Sequence, residues 1–300
     1  MCLGHLIFNL AFTRRPIEKK ISKGGYIGTT LLGDRLSEFT ENVVKHRELL
    51  KNLPHEELFI KTDDGLRLKG WFFDAGSKNT AIIVHGFNSK GWTDGVIQAY
   101  RFFEHGYNVL LSDNRACGES EGKYLTFGIR ESEDTKIWTD LISKRIEGGN
   151  IVLLGISLGG ATVCMCSALD IPGLKAVIAD CPYTNMQCEF EYVNKLFLHH
   201  VPKRGIASAE KLAKKRLGFD FTSASPLTSI AKAKCPVLFV HGKSDSFIPY
   251  SMSEELYNAC PTEKQLLLID DCGHGSAVLA GEEYFEHIFA FVDRYCNKRQ

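Results

Sequence analysis

The sequence lacks an excess of charge of either sign. Its 300 residues contain 36 Lys plus Arg and 36 Asp plus Glu, so the formal net charge is zero. Strongly basic nucleic-acid binders and polybasic membrane binders are excluded by this balance, although a local basic patch is still compatible with it. We therefore expect no nucleic-acid partner.

The ten cysteines lack the spacing of a metal site. None forms a Cys-x-x-Cys pair, and no His pair follows at zinc-finger spacing. Cys164 and Cys166 lie in an apolar run, where a free cysteine behaves as a small hydrophobic residue. The sequence therefore predicts reduced thiols, a cytoplasmic location, and neither a metal nor an organic cofactor.

Long apolar runs are also absent, since none reaches the roughly 20 residues that cross a bilayer. Residues 2–12 are apolar and are followed by Arg14 and Arg15. They lack the basic leading region and small-residue cleavage site of a secretory signal. We predict a helix docked on the body of the protein, and peripheral membrane contact through residues 2–12 is the alternative.

From residue 56 onward, short apolar runs alternate with helical segments. Two runs, residues 57–62 and 67–73, are joined by Asp63-Asp64-Gly65, which is a hairpin signal. Runs rich in Val, Ile and Leu follow at residues 80–84, 108–111, 150–154, 174–179, 236–240 and 264–269. Continuous apolar runs are typical of strands buried on both faces. The pattern predicts an α/β fold with a mostly parallel eight-stranded sheet and helices on both faces.

The spacing of these runs also predicts the domain organisation. Residues 1–55 are expected to form a helical extension, and residues 56–300 to form the α/β domain. About residues 182–234 interrupt the alternation with helical sequence rich in Phe, Lys, Arg and His. An insertion of this length is usually a lid rather than a plain loop.

The segment Gly155-Ile156-Ser157-Leu158-Gly159 follows a predicted strand and opens a predicted helix. It matches the Gly-x-Ser-x-Gly nucleophile elbow, a sharp turn that presents the serine above the sheet. The residues two before and two after the serine must be small, because larger side chains would collide in such a turn. This context predicts that Ser157 is a nucleophile.

A serine hydroxyl needs a base that is oriented by a carboxylate. His274 lies in a Gly-rich loop directly after the last predicted strand, and Asp245 follows the strand before it. Asp180, at the end of the sixth run, is the alternative acid. The order serine, acid, histidine is that of one triad lineage among several. His85 is expected to pack and to hydrogen bond within its loop.

Hydrolysis through a serine also needs donors that face the developing oxyanion. The Leu158 N–H follows the nucleophile at a helix N-terminus, where the helix dipole favours negative charge. The loop after the third run contains His85-Gly86-Phe87. Gly86 lets the backbone approach closely. We therefore predict an oxyanion hole formed by the N–H groups of Phe87 and Leu158.

Residues 55 to 295 resemble the α/β-hydrolase family. The motifs are Val84-His85-Gly86-Phe87, Gly155-x-Ser157-x-Gly159, His241-Gly242-x-x-Asp245 and Gly273-His274-Gly275. Trp92, Gly218-Phe219-Asp220-Phe221 and Ser225-Pro226-Leu227 resemble a bacterial branch of single-domain serine esterases. This branch is similar to the catalytic domain of prolyl-oligopeptidase-type peptidases. The resemblance implies a hydrolase, and the sequence departs from those peptidases because its 300 residues leave no room for their N-terminal β-propeller.

Together these features predict a serine hydrolase that cleaves carboxylic esters of small to medium apolar or aromatic acyl groups. Trp92, Phe247 and Phe190 are the predicted walls of the acyl pocket. A thioesterase or a small-peptide or amide hydrolase would use the same triad, and a non-catalytic binding protein could use the same fold. The expected partner is a small-molecule ester, and the sequence leaves the oligomeric state open.

Overall fold

The eight predicted runs all form strands, and these strands build one sheet. The computed structural model describes residues 3–14, 35–196 and 201–297. The strands are β1 (Glu56–Lys61), β2 (Arg67–Phe73), β3 (Asn79–Val84), β4 (Asn108–Ser112), β5 (Asn150–Ile156), β6 (Leu174–Asp180), β7 (Val237–Gly242) and β8 (Lys264–Ile269). The predicted fold class is confirmed.

Helices connect and cover the strands. They are α1 (Leu3–Phe12), α2 (Leu36–Lys51), α3 (Val96–Glu104), α4 (Ile129–Arg145), α5 (Leu158–Cys166), α6 (Met186–Leu196), α7 (Lys203–Leu217), α8 (Pro226–Ile230), α9 (Ser251–Ala259) and α10 (Glu282–Cys296), with a 3-10 turn at Ala277–Ala280. Among the helices of the described residues, none is both long and apolar enough to cross a membrane.

The sheet has the order β1-β2-β4-β3-β5-β6-β7-β8. β1 and β2 are antiparallel, with Glu57 opposite Trp71, and β2 is antiparallel to β4. The remaining neighbours are parallel. The carboxyl ends of parallel strands meet at one edge of a sheet, so the loops after β3, β5, β7 and β8 converge there.

Both faces of the sheet are covered, which explains the continuous apolar runs. On one face, α2, α3 and α10 contribute side chains such as Leu50, Phe102 and Phe285. On the other face, α4, α5 and α9 contribute side chains such as Trp138 and Leu256. Strands enclosed on both sides gain stability from apolar residues at every position.

A third apolar cluster lies beside the carboxyl edge of the sheet. It joins Phe8 and Phe12 of α1 to Phe219, Phe221 and Leu158. Helix α1 therefore docks on the body of the protein through one apolar side. Helices α6, α7 and α8 fall within residues 182–234, which the sequence assigns to a lid, and that assignment stays a prediction; residues 197–200 of this range lie outside the described residues.

Candidate active site

Ser157 occupies the sharp turn between β5 and α5. Its backbone has φ 58° and ψ −115°, a strained conformation for a residue with a side chain. The surrounding bonds hold this turn, because the Ser157 N–H donates to the Asp180 carbonyl at 2.8 Å. The Ser157 carbonyl accepts from the Ala161 N–H at 2.9 Å and so begins the helix.

The glycines around Ser157 are required by the packing. A Cβ at Gly155 would collide with the Gly159 backbone, and a Cβ at Gly159 would collide with the Val84 carbonyl. At Gly160, a Cβ would come within 2.7 Å of the Asp180 carbonyl oxygen. The small residues predicted from the motif therefore let the turn, the helix and two neighbouring strands approach one another.

The structure brings the three predicted triad residues together. His274 Nε2 lies 2.9 Å from Ser157 Oγ, and His274 Nδ1 lies 2.7 Å from Asp245 Oδ2. Because the carboxylate can only accept, the Nδ1 hydrogen points to Asp245. The neutral ring then presents the Nε2 lone pair to the Ser157 hydroxyl. This arrangement allows His274 to take up a proton from Ser157.

Asp245 follows β7 and receives four hydrogen bonds. Its Oδ1 accepts from the backbone N–H groups of Phe247 and Ile248, both at 2.8 Å. Its Oδ2 accepts from His274, and also from His241 Nε2 at 3.2 Å. The carboxylate is therefore fixed in one orientation toward His274.

His241 is a site residue that the sequence analysis missed. It is completely buried at the end of β7. Its Nε2 faces two acceptors, Asp245 Oδ2 and the Ile248 carbonyl, so its ring hydrogen lies on Nε2. Its Nδ1 lies 2.7 Å from the Ser253 hydroxyl, which donates to it. The His241-Gly242-x-x-Asp245 spacing contained this signal, because the acid follows the donor by four positions.

The hydrogen bonds of the triad determine its charge. Burial alone would raise the pKa of Asp245, but the opposite charge of His274 and the bonds from His241 and His274 hold that pKa well below its usual range. Burial disfavours a charged His274, yet the adjacent Asp245 carboxylate outweighs burial and raises the pKa of His274. Asp245 thus remains ionised and stabilises a protonated His274.

The predicted oxyanion loop lies directly beside Ser157. A Cβ at Gly86 would be 3.5 Å from the Ser157 Cβ. His85 holds this loop, since its Nε2 accepts from the Asn114 N–H at 2.9 Å and its Nδ1 donates to the Gly86 carbonyl at 2.8 Å. His85 is thus a loop-fixing residue, in agreement with the sequence analysis.

The two predicted oxyanion donors are the backbone N–H groups of Phe87 and Leu158. Leu158 is the first residue of α5, where N–H groups have no partner within the helix. Among the described residues, neither the Phe87 N–H nor the Leu158 N–H donates a hydrogen bond to another protein group. Both donors therefore remain free to bind an oxyanion.

The three predicted pocket residues have different positions. The Phe247 ring contacts the His274 ring edge-on, with centroids 5.1 Å apart. Phe190 stacks on Phe221 at 5.0 Å and also contacts Phe127. Phe127 in turn contacts Phe87 at 5.6 Å. Phe247 is thus at the triad, whereas Phe190 is connected to the oxyanion loop through Phe127.

The assignment of Trp92 to the acyl pocket needs correction. Its ring packs edge-on against Trp71 at 5.5 Å and Phe73 at 5.9 Å, and it also contacts His55. These contacts place Trp92 in the apolar layer beside β2 rather than beside Ser157. The indole packs against aromatic rings from β2 and from His55, which are distant in sequence. The sequence around the oxyanion loop therefore does not predict these contacts.

Asp180, the alternative acid, has a different set of contacts. Its Oδ2 accepts from the Tyr284 hydroxyl at 2.8 Å, and its buried Oδ1 has no hydrogen-bond partner in the described ranges. Burial raises the pKa of Asp180 to about 6. The acid that bonds to His274 is therefore Asp245.

One group of side chains has metal-binding chemistry among the residues that the structure describes. Ligand atoms of Cys181, Asp245 and His274 all lie within 4.8 Å of one another. Burial raises the pKa of the Cys181 thiol to about 11, so this thiol is protonated at neutral pH. An ion held by all three residues would have to displace the hydrogen bond between Asp245 and His274, so the geometry is that of a triad.

Glu189 of α6 is a second buried acid near the triad. Both of its carboxyl oxygens are buried, and neither has a hydrogen-bond partner among the residues that the structure describes. Burial raises the pKa of Glu189 to about 8, while the charges of His274 and Asp245 act on it in opposite directions. Glu189 is therefore mostly neutral at neutral pH. No sequence signal distinguished it from the other acids of the helical insertion.

Comparison with known families agrees with this geometry. The model of X-Pro dipeptidyl-peptidases, the S15 family, matches residues 41–220. Because that match spans more than half of the sequence, the chain belongs to the S15 family of α/β hydrolases. A second family model, described as serine hydrolase FSH1, matches residues 183–275, a range that contains Asp245 and His274. The protein is therefore a hydrolase, and the resemblance found in the motifs is confirmed.

Individual relatives cover most of the chain. The uncharacterized protein YqkD of Bacillus subtilis is 28% identical over 264 residues, which are 87% of this chain and 86% of YqkD. YfhR of Escherichia coli K12 is 28% identical over 248 residues, covering 80% of this chain and 76% of YfhR. A Pyrococcus furiosus esterase structure is similar with a TM-score of 0.67 and 23% identity, over 81% of this chain and 92% of the esterase chain. At that identity the structural likeness shows the fold alone.

Proposed function

We propose that the protein hydrolyses carboxylic esters of small to medium apolar or aromatic acyl groups through an acyl-enzyme on Ser157. The observation that carries this proposal is the continuous chain of hydrogen bonds from Ser157 through His274 to Asp245. The Ser157–His274 link measures 2.9 Å, which is within reach for direct proton transfer, and the His274–Asp245 link of 2.7 Å orients the imidazole ring.

In the first half of the reaction, Ser157 Oγ attacks the ester carbonyl carbon while His274 Nε2 accepts the hydroxyl proton. Asp245 stabilises the resulting imidazolium, since it is ionised and fixed by His241 and two backbone N–H groups. The tetrahedral intermediate then collapses. Its bond to the leaving oxygen breaks, and that oxygen takes the proton from His274 as the alcohol departs.

In the second half, water replaces the alcohol. His274 removes a proton from the water, which attacks the acyl-enzyme carbonyl. The bond to Ser157 Oγ breaks, Ser157 recovers the proton from His274, and the carboxylic acid is released. The Phe87 and Leu158 N–H groups stabilise the oxyanion in both halves, and one such donor typically contributes about 10²–10³ in turnover.

The preference for apolar or aromatic acyl groups is supported by the side chains around the triad. Phe247 packs against His274, and Phe87 continues into the aromatic contacts of Phe127 and Phe190. Phe87 is 39% exposed, so it offers apolar surface beside the reacting carbonyl. An acyl group that covers these rings gains hydrophobic free energy.

The decisive variant is Ser157→Ala. We expect its kcat/KM for p-nitrophenyl butyrate to fall by about 10³-fold or more. A fluorophosphonate probe should label the wild-type protein and leave the variant unlabelled. Ser37→Ala, which alters an exposed serine of α2, is the matched control and should behave as wild type. Full esterase activity in Ser157→Ala would refute the mechanism.

Amide or peptide hydrolysis is the second candidate, and the S15 family match favours it. The same residues would act, with an amine as the leaving group. A panel of p-nitrophenyl and aryl esters, acyl-CoA thioesters and dipeptidyl p-nitroanilides separates the candidates by kcat/KM. The ester proposal predicts that the esters have the highest kcat/KM. If the fluorophosphonate probe labels the protein but an anilide has the highest kcat/KM, the protein is a peptidase. An unlabelled wild-type protein would indicate a non-catalytic binding function.

A further inference from the structure

Helix α1 has one buried and one exposed apolar face. The segment contains no Asp, Glu, Lys or Arg. Phe8 and Phe12 are fully buried against the third apolar cluster. Leu3, Leu6 and Leu10 are 41%, 43% and 48% exposed, and their spacing places them on a single face of the helix. A soluble surface helix normally carries polar residues on its outer face, so this exposed leucine row is unusual.

Helix α7 packs on α1 and carries the positive charge that α1 lacks. It contains six Lys or Arg residues and a single Glu, in a chain whose overall net charge is zero. Three of these cations lie on one face of the helix together with Ser208, because the positions 204, 208, 211 and 215 are four, three and four residues apart. We call this face, formed by Arg204, Ser208, Lys211 and Lys215, the cationic stripe. Arg204, Lys211 and Lys215 are all exposed.

The leucine row and the cationic stripe border the same helix crossing. A Cβ at Gly4 of α1 would collide with Ser208, which belongs to the cationic stripe. A Cβ at Gly205 of α7 would come within 2.8 Å of Leu3, which belongs to the leucine row. Small residues thus bring the two helices close together, and exposed leucines lie beside exposed cations.

We propose that α1 and α7 together form a docking surface for an anionic lipid bilayer. The leucines would enter the boundary between headgroups and acyl chains, while Arg204, Lys211 and Lys215 would contact acidic headgroups. Either signal alone gives only weak and reversible membrane binding, whereas an apolar element combined with a basic patch gives stable attachment. The proposal does not depend on the chemistry of Ser157.

The position of this surface connects it to the candidate active site. Phe12 of α1 contacts Phe127 at 5.2 Å, and Phe127 contacts Phe87 of the oxyanion loop at 5.6 Å. Two ring contacts thus link the buried side of α1 to the oxyanion loop.

The test is co-sedimentation of the full chain with phosphatidylcholine vesicles, with and without about 30% phosphatidylglycerol. We expect wild-type protein to bind the anionic vesicles at least about 10-fold more strongly, and to be released by high salt. Combined Arg204→Glu, Lys211→Glu and Lys215→Glu should weaken binding by about 100-fold. Combined Leu3→Ser, Leu6→Ser and Leu10→Ser should weaken it at least about 10-fold.

The matched control alters an exposed apolar residue and an exposed cation elsewhere. Val44→Ser with Lys45→Glu on α2 should bind vesicles as the wild type does, because both side chains are exposed outside the proposed surface. Fluorophosphonate labelling and circular dichroism show that each variant is folded. The proposal would be overturned if the wild-type protein did not co-sediment with anionic vesicles. It would also be overturned if the leucine variants still bound vesicles but changed from dimer to monomer, because a second copy of the chain would then cover this face.

Discussion

Asp245 and Glu189 are two buried carboxyl groups near His274 that differ in their hydrogen bonding. Asp245 accepts from two backbone N–H groups and from the rings of His241 and His274. Glu189, on the helix that follows β6, has two buried oxygens and no hydrogen-bond partner within the described part of the chain. Burial is therefore common to both groups, while the supply of donors distinguishes them.

This difference leaves Asp245 ionised and Glu189 mostly neutral at neutral pH. The pKa of Asp245 lies well below its usual range, because the charge and donors around it outweigh burial. The pKa of Glu189 is raised to about 8, because burial has no compensating donor. Local donors rather than depth thus decide which carboxyl group can stabilise a histidinium ion.

Replacing Asp245 by Asn tests the first half of this comparison. The variant keeps the shape of the side chain but loses the negative charge that orients and stabilises His274. We expect kcat for an ester substrate to fall by about 10³–10⁴-fold, measured with a chromogenic p-nitrophenyl ester. Asp270→Asn, at an exposed acid that pairs with Lys243, is the control and should retain full activity. The assigned role would be contradicted if Asp245→Asn had a kcat within tenfold of wild type and about the same KM.

Replacing His241 tests whether the donors to Asp245 contribute to the reaction. His241→Leu removes the N–H that supports Asp245 Oδ2 and should lower kcat by about 10–100-fold with little change in KM. Loss of this donor leaves more negative charge facing His274, so the acidic limb of the kcat/KM profile should move to higher pH. His241→Gln, which retains an N–H donor, should recover part of the activity and of the profile. An unchanged pH profile in His241→Leu would assign His241 to packing alone.

The sequence predicted the parts of the site that depend on local geometry. The elbow at Ser157 follows from small residues at fixed spacing, and the structure shows backbone atoms where their side chains would be. The loops of Asp245 and His274 follow directly from strands whose apolar runs were evident. Parallel strands end at one edge of the sheet, so these loops had to converge.

Other parts of the site depend on contacts between distant segments. Trp92 was assigned to the acyl pocket because it follows the oxyanion loop, but it packs on Trp71 and Phe73 of β2. His241 resembled an ordinary strand-end residue, because its link to Ser253 arises only when β7 and α9 are packed together. The lack of hydrogen-bond donors around the Glu189 carboxyl group, within the described residues, likewise depends on which side chains pack against it. Sequence patterns report local spacing and do not report which side chains lack a partner.

Replacing Glu189 by Gln tests the second half of the comparison and should affect stability more than catalysis. Burial raises the pKa of Glu189 from 4.5 in the unfolded chain to about 8 in the folded protein. The folded protein therefore loses stability as the pH rises through that interval, because the unfolded chain releases the Glu189 proton first. Glu189→Gln removes this loss. Its stability relative to wild type should therefore increase on the order of 3 kcal/mol between about pH 5 and pH 8, as measured by urea unfolding.

The matched control for that variant is Glu191→Gln, which alters an exposed acid on the same helix. It should unfold like the wild type at both pH values, because its side chain is exposed to solvent and buries no carboxyl group on folding. Ester hydrolysis by Glu189→Gln should remain within about threefold of wild type, since a neutral amide replaces a mostly neutral acid. A stability difference between Glu189→Gln and wild type that does not change with pH would mean that Glu189 is already ionised in the folded protein. The two carboxyl groups would then differ in their partners without differing in charge.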